Sequence, residues 1–544
     1  AGRGGRAKPL GFSLLSGAIT LGLAAVLLLP LVEALPHTAE HFMRSRLYAH
    51  VDKSVSVAES LRRSIPDVVP YAFGVSGHGR SAIGFGEPAA YVGSVLFPFA
   101  AIGLFSRRRE KWPILVLTLV GLAMWARLPV VTDAISSLPL FDIGLNERMV
   151  FLAAFGISAL AGLGAERFLE KNGFSLLSAT FATLVVVLLL HREVSPTLIR
   201  LEVDPAFLRA RLLAEIVPLI LLAGVAMLSL PGRRNTTVLF SALVLLALQR
   251  RLEGGDLYPT FPNRAFYPDL AVLDPIPRDA PWRFAATGYQ FIPNISAMYE
   301  LEDVRGYVAM TFLPLTNTFS LWCVPQPIWF NRVDDPTTPF LAFLNVRWVL
   351  TSADWTAPPG WKVLAQGDGT RLYENPRALP RAFVPRTLSM VPEEAQPGAL
   401  ASIADFADRG VFDSPDPEWR VGAWRANGAA TVRIESYRPQ RLDLVVDARS
   451  KVVVGTSIPR WPGWRLEIDG RRAPLFAYNA AFLGFEVPAG SHRAVMRYLP
   501  DGFLAGYAIS SATAAVCFVM IAARRRRPSR ENGARREPGA PRPG

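Results

Sequence analysis

The stretch that decides the architecture begins Trp461-Pro-Gly-Trp-Arg-Leu-Glu-Ile-Asp-Gly470 and continues through Phe482-Leu-Gly-Phe-Glu-Val-Pro-Ala-Gly490 to Tyr498-Leu-Pro500. It then enters the apolar run Phe503–Ala522 and stops at Arg524-Arg-Arg-Arg527. Short apolar runs separated by Asp469-Gly470 and Pro488-Ala-Gly490 predict strands and tight turns. The run after them is long enough to cross ~30 Å of hydrocarbon as a helix. A block of arginines at its end marks a cytoplasmic flank. A small β domain is therefore joined directly to a membrane-spanning helix.

Upstream of this join, Arg441-Leu-Asp-Leu-Val-Val-Asp447 and Val452–Ser457 add strands, and residues 429–500 read as a β-sandwich. Residues 250–428 read as a mixed α/β domain with proline-rich punctuation. Within it, Phe340–Leu344 predicts a helical turn leading into a strand at Val346–Thr351, and Gly367-Asp-Gly369 predicts a hairpin. Residues 1–249 hold seven further apolar segments: Leu10–Leu35, Ala89–Phe105, Trp112–Val131, Met149–Gly164, Phe174–Leu190, Leu212–Leu230 and the short Thr236–Leu248. Pro30 and Pro36 predict a kink or an end for the first segment, and the alanines and glycines of the fourth predict close helix packing. The fold class is a polytopic α-helical membrane protein of about eight spans with an extracytoplasmic α/β region and a C-terminal β-sandwich. A final helix at 501–523 and a disordered basic tail at 524–544 complete it.

Charge supports the count. With the start of the chain inside, Arg107 to Lys111, Arg167 with Lys171, Arg233 with Arg234, and the tail arginines all flank cytoplasmic ends. Omitting the short seventh segment would put the Arg524 block outside, so it is kept. Both ends of the chain are then cytoplasmic and residues 250–500 extracytoplasmic. The net charge of +13 is distributed as the positive-inside rule demands, which argues against a nucleic-acid partner. The 51% hydrophobic content argues for the lipid bilayer instead. The two cysteines, Cys323 and Cys517, make no disulfide framework. Scarce lysine with abundant Arg, Ala, Gly and Pro resembles the output of a GC-rich bacterial genome.

Several segments in order resemble the YfhO-type family of bacterial membrane proteins. Nearest the C-terminus these are Trp461-Pro-Gly-Trp464, Ile468-Asp-Gly470, Phe482–Gly490 and Arg497-Tyr498 before a last span. Further upstream they are Pro293-Asn294, Leu301-Glu-Asp-Val-Arg-Gly-Tyr307, Leu344-Asn-Val-Arg-Trp-Val349, Leu372-Tyr-Glu-Asn375 and Pro380-Arg-Ala-Phe383, with Leu29-Pro-Leu-Val-Glu33 and Ala161-Gly-Leu-Gly164 in the membrane part. The family is placed near C-type glycosyltransferases. The resemblance implies transfer of a sugar from a polyprenyl-phosphate-linked donor to a cell-envelope glycan acceptor, either glycopolymer or glycolipid, on the outer face of the cytoplasmic membrane. In such enzymes the catalytic carboxylate lies in the first outer loop. This chain, starting at Ala1, is expected to begin several spans further on, so that residue is not carried over and the enzyme assignment stays open. The alternative from a different class is a non-catalytic protein that binds or transports a glycolipid or polymer precursor.

Glycosyl transfer needs a base for the acceptor hydroxyl and cations for the leaving phosphate. Glu33, between Pro30 and Pro36, is the candidate carboxylate. Arg46, Glu147 and Arg148 are the phosphate-site candidates, Arg148 because it starts an outward-facing helix. Capping ion pairs and snorkelling side chains are the structural alternative. Asp303, Arg305 and Tyr307 are acceptor-site candidates, set against a buried Asp–Arg pair fixing the turn at Gly306. Trp461 and Trp464 offer stacking faces, or else serve as sandwich core or rim. The loop at 37–88 holds a dense ionisable set that includes Arg44, Arg63 and Asp67. No cofactor is indicated. The histidines lack metal-ligand spacing, although a divalent metal stays open.

Overall fold

The protein is described by a computed structural model that covers residues 7–47, 52–74, 90–144, 146–170, 174–229, 235–254, 261–266, 268–306, 310–324, 331–413 and 423–525. Arg233, Arg234, Tyr307 and the basic tail from residue 526 lie outside the described residues. The chain forms two compact units, Ala1–Phe42 with Tyr267–Gly544, and Met43–Phe266.

In the first unit, helices Ala7–Ala34 and Asp501–Arg525 pack against each other. They run antiparallel: Glu33 meets Gly502, Val26 meets Ser510, and Gly22 lies against Thr513. Small residues make this contact possible. A Cβ at Gly506 would collide with the Ala25 carbonyl, and one at Gly502 would lie 2.8 Å from the Leu29 oxygen. Ser510 Oγ donates toward the Gly22 and Leu23 carbonyls at 3.1 and 3.0 Å and accepts from Val26 N–H. In hydrocarbon, where lipid tails are as apolar as leucine, such close approach and hydrogen bonding drive helix association. The first helix runs on past Pro30 to Ala34.

The soluble part of this unit contains three sheets. A four-stranded sheet has the order Arg283–Ala286, Val346–Ser352, Thr370–Glu374, Lys362–Gly367, with the first pair parallel. The hairpin at Asp368-Gly369 is present, both residues having positive φ, as a two-residue turn of matching twist requires. The helical turn Pro339–Phe343 leads into its second strand. A five-stranded antiparallel sheet has the order Arg471–Ala473, Trp464–Ile468, Gly490–Tyr498, Arg441–Ala448, Ala430–Arg438. A seven-stranded sheet joins Val452–Pro459, Phe482–Val487 and Phe476–Tyr478 to Ala382–Phe383, Arg409–Asp413, Thr387–Met390 and Trp424–Ala426. It therefore takes strands from both sides of residue 428.

Alternation places the side chains. Leu442, Leu444 and Val446 of the five-stranded sheet share one core with Val452, Val454, Leu483, Phe485 and Val487 of the seven-stranded sheet. The opposite face of the latter sheet presents Val453, Tyr478, Phe482 and Phe412 to a second, aromatic core with Phe340 and Phe343. This is the period of two that a sheet covered on both faces demands. Arg381, 1% exposed, ties the layers together: its guanidinium stacks 4.2 Å over the Tyr437 ring, ion-pairs with Glu302 and donates to the Pro281 carbonyl.

The second unit is helical. Val150–Glu170 packs on Leu96–Leu104 and Lys111–Ala126 through small residues. A Cβ at Gly103 would meet the Leu160 carbonyl, and one at Gly121 would lie 2.6 Å from Ala153 N. The close packing expected of the fourth apolar segment is thus found. The polar stretch between the fifth and sixth apolar segments is mostly helical. Phe174–Arg200 runs on past His191, and Pro205–Ser229 starts at once, with Asp204 Oδ1 accepting from Ala206 N–H at 2.9 Å. An acidic cap followed by proline at the first helical position is a strong helix start.

Among the described residues, five helices are long and apolar enough to cross a membrane: Gly11–His37, Asn146–Glu170, Ser175–Arg200, Pro205–Leu228 and Asp501–Ala523. The other three expected spans differ. Leu96–Leu104 has nine residues, and Gly93 before it has φ +102°. Lys111–Ala126 has 16, and Asn235–Gly254 has 20 but carries Arg250, Arg251 and Glu253.

Candidate functional site

In the helical unit, the 3₁₀ turn Ile65–Asp67 follows helix Val57–Arg63, which Ser56 caps by accepting from Glu59 N–H. Ser60 and Arg63, three apart on the helix, share a face, and Asp67 ends the turn that follows. Asp67 is 5% exposed; its Oδ1 accepts from Ala90 N–H at 2.8 Å, while its Oδ2 has no partner. Burial pushes the carboxyl up to about 7, against the lowering effect of the Ala90 bond. Three other buried polar atoms in this region are also unpartnered: Ser60 Oγ, Arg63 Nε and Trp125 Nε1. Arg63 lies 5.9 Å from the Trp125 ring centroid, and Trp125 shares an apolar cluster with Ala90, the residue bonded to Asp67. Unpaired buried groups are expensive, so several in one region mark a place prepared for water or for a ligand.

Glu147, a sequence candidate, belongs to the same end of this unit. Its Oε1 is 3.2 Å from Arg63 Nη2 and 3.7 Å from Arg127 Nε. Arg127 is the left-handed cap of helix Lys111–Ala126 and also donates to the Lys53 and Asp52 carbonyls. Arg148 is exposed and has no hydrogen bond or ion pair among the described residues. Arg46 is exposed near the end of helix Ala39–Leu47, and Arg44 Nη1 donates to the Ile143 carbonyl at 3.0 Å. The structure therefore brings Glu147 to Arg63 and Arg127. Asp67 is the residue that sequence reasoning passed over, because burial is set by helix packing and leaves no local signal. Another buried polar group also went unsingled: Tyr91, Glu215, Gln249 and Glu253, with the Tyr91 hydroxyl 2.6 Å from an oxygen of each carboxyl. Among the described residues no group of three or more His, Cys, Asp or Glu could hold a metal ion.

In the first unit the remaining candidates have structural partners. Glu33 Oε2 accepts from Gly502 N–H at 2.5 Å, at the start of the last helix. Arg305 and Asp303 have side-chain exposures of 0% and 3% and bond to each other at 2.7 Å, and Arg305 also donates to the Phe291 carbonyl. That is the buried pair weighed as the structural alternative for this motif. Tyr307 lies outside the described residues.

This unit also holds an open cleft of about 430 Å³. Its lining includes His37, Phe312, Glu393, Arg460, Trp461 and Trp464. Arg460 Nη2 is 2.5 Å from Glu393 Oε1, and Arg460 Nε is buried without a partner. Trp461 packs against Phe312 at 4.8 Å between ring centroids, and Trp464 against Tyr498 at 5.4 Å. Both indoles thus brace the core and line the cleft.

Membrane-length helices in both units, joined in one of them to a β-rich region, make this a multi-pass membrane protein. A family model described as bacterial membrane protein YfhO matches residues 425–510, the small β region with the start of the last helix. The YfhO-type assignment is borne out there. No curated protein and no solved structure matches the chain.

Proposed function

We propose that this chain is a glycosyltransferase-like protein of the cytoplasmic membrane that transfers a sugar from a polyprenyl-phosphate donor to an envelope glycopolymer or glycolipid. In this reading it has eight spans, both ends of the chain are cytoplasmic, and residues 250–500 with the Asp67 end of the helical unit face outward. The observation that carries it is Asp67: a buried carboxyl with one oxygen unused and an ionisation near neutrality, as a general base requires. Asp67 Oδ2 takes the acceptor hydroxyl proton as the acceptor oxygen bonds to the anomeric carbon. The bond from this carbon to the phosphate oxygen breaks, and the phosphate leaves with the electron pair. Arg63, with its unused Nε, and the exposed Arg148 supply positive charge for that phosphate. Because Asp67 is 5% exposed, the residues over it must part to admit the acceptor, a step that also excludes water once they close.

The second reading is a non-catalytic protein that binds or moves a glycolipid, favoured by the Trp-lined cleft, whose carboxylate Glu393 is ion-paired with Arg460. Asp67→Asn in the full-length protein separates the two. Loss of envelope glycosylation at unchanged protein level is expected of the enzyme. Normal product would remove Asp67 from catalysis and favour the second reading.

A further inference from the structure

We propose that the cleft between Trp461, Trp464, Arg460 and His37 is a carbohydrate-binding site for a membrane-anchored glycan. This rests on the reading above and names a glycan site within the first unit. Three observations carry it.

The first is chemical. A pyranose ring has an apolar C–H face and an edge of hydroxyls that both donate and accept. The cleft offers indole faces for the former, whose negative π surface attracts the C–H dipoles. For the latter it offers the Glu393 carboxylate and the Arg460 guanidinium, whose Nε is a buried donor without a partner. An acyl chain would leave Arg460 Nε without a partner, and a lone anion would face the Glu393 charge.

The second is size. A cleft of about 430 Å³ falls in the range of small-ligand sites, with room for roughly two sugar rings.

The third is position. His37 ends the membrane-length segment Gly11–His37. Gly463, at φ +106°, lies against Pro500, with Leu499 N–H donating to its carbonyl at 2.9 Å; the segment Asp501–Ala523 begins one residue later. The cleft therefore opens where two membrane helices end, the level of a lipid headgroup. Backbone bonds hold this arrangement: Ala39 N–H donates to Thr311 O at 2.8 Å, beside Phe312 in the cleft wall.

The test uses the full chain in nanodiscs. One arm follows free gentiobiose, chitobiose and maltose by saturation-transfer NMR. The other follows diglucosyl diacylglycerol by native mass spectrometry. Binding of a free disaccharide together with the glycolipid supports the glycan chemistry; binding of the glycolipid alone supports it and assigns the headgroup as the source. Trp464→Ala is expected to weaken binding at least tenfold and Arg460→Gln several-fold, while Trp464→Phe stays within about threefold. If Trp464→Ala fails to fold, Arg460→Gln decides. No saturable binding in either arm, or binding that these substitutions leave unchanged, overturns the proposal. Asp67→Asn keeps the two readings apart: it is expected to abolish transfer and leave glycan binding intact. Loss of binding in the Trp464 and Arg460 variants alone therefore speaks to the cleft, and normal transfer by Asp67→Asn speaks to catalysis.

Discussion

Glu33 Oε2 lies 2.5 Å from the backbone nitrogen of Gly502, so a carboxylate at the end of the first helix caps the start of the last one. The opening turn of a helix has unpaired N–H groups and a partial positive charge, which a carboxylate satisfies. Glu33→Gln should keep the hydrogen bond and lose the charge, costing about 0.3–1 kcal/mol. Gly506→Leu should cost far more, because its side chain would enter the Ala25 backbone. Thermal melts of the detergent-solubilised protein should rank the two in that order. A Gly506→Leu variant as stable as the parent would mean that the two helices do not pair as described.

The last helix and the hairpins before it were legible in the sequence, because a long apolar run and a period of two are local patterns. The turns Asp368-Gly369 and Asp469-Gly470 were legible for the same reason, since only residues tolerant of positive φ fit them. The pairing of the first and last helices was not. Gly502, Gly506 and Ser510 form a small-residue ridge at every fourth position, but nothing local says which helix fills it. Asp67 was visible only as one charge in a polar loop. Its importance comes from burial and from Ala90, 23 residues away. The helix Phe174–Arg200 outruns its apolar segment, because a helix carries His191, Arg192 and Glu193 readily as long as its backbone bonds continue.

Asp67 should leave a mark on stability as well as on rate. Its carboxyl is raised to about 7 in the folded protein, above the unfolded value of ~3.9. The folded state therefore holds the proton more tightly. Stability is full below the unfolded value, declines as pH rises from there, and levels off above about 7. Asp67→Asn removes this slope, so the variant should gain on the parent between pH 5 and pH 8. Parallel melting temperatures across that range would show that the carboxyl is not held protonated. In the parent, transfer should rise with pH through about 7 as the base ionises.

His492 and Asp469 make a second pH-dependent contact, between the strand Gly490–Tyr498 and the turn that bears Gly470. Nδ1 of His492 is 2.6 Å from Asp469 Oδ2, while Asp469 Oδ1 accepts from Arg493 N–H. The Asp469 carboxylate raises the imidazole, aided by the Ala489 carbonyl. His492, and then the Arg493 N–H, hold the Asp469 carboxyl down. The His492 contribution is present below the unfolded histidine value and lost as pH rises through the raised one. The Asp469 contribution is present above the unfolded aspartate value and lost as pH falls through the lowered one. Both are fully present between roughly pH 4 and 6.5. In ¹³C-histidine-labelled protein the His492 resonance should titrate above the ordinary histidine value, and Asp469→Asn should return it toward that value. An unmoved midpoint would mean that the contact does not form in solution.

The Tyr91 hydroxyl lies 2.6 and 2.7 Å from the two Glu215 oxygens and 2.6 Å from Glu253 Oε1. One phenolic proton faces three acceptor oxygens, so the group is short of donors on that side. Gln249 helps by donating to Glu215 Oε2 at 3.0 Å and to Ser94 Oγ at 2.8 Å, and Arg250 holds Glu253 Oε2 at 2.7 Å. An amide in place of one carboxyl would supply the missing donor while keeping shape and volume. Glu215→Gln should therefore be tolerated, within about 1 kcal/mol of the parent. Glu215→Leu leaves Tyr91 and Gln249 buried without that partner, and each orphaned group costs about 1–3 kcal/mol. Denaturant titration in mixed micelles should separate the two variants clearly. Equal loss in both would show that the carboxylate charge, rather than the count of donors and acceptors, is what this cluster needs.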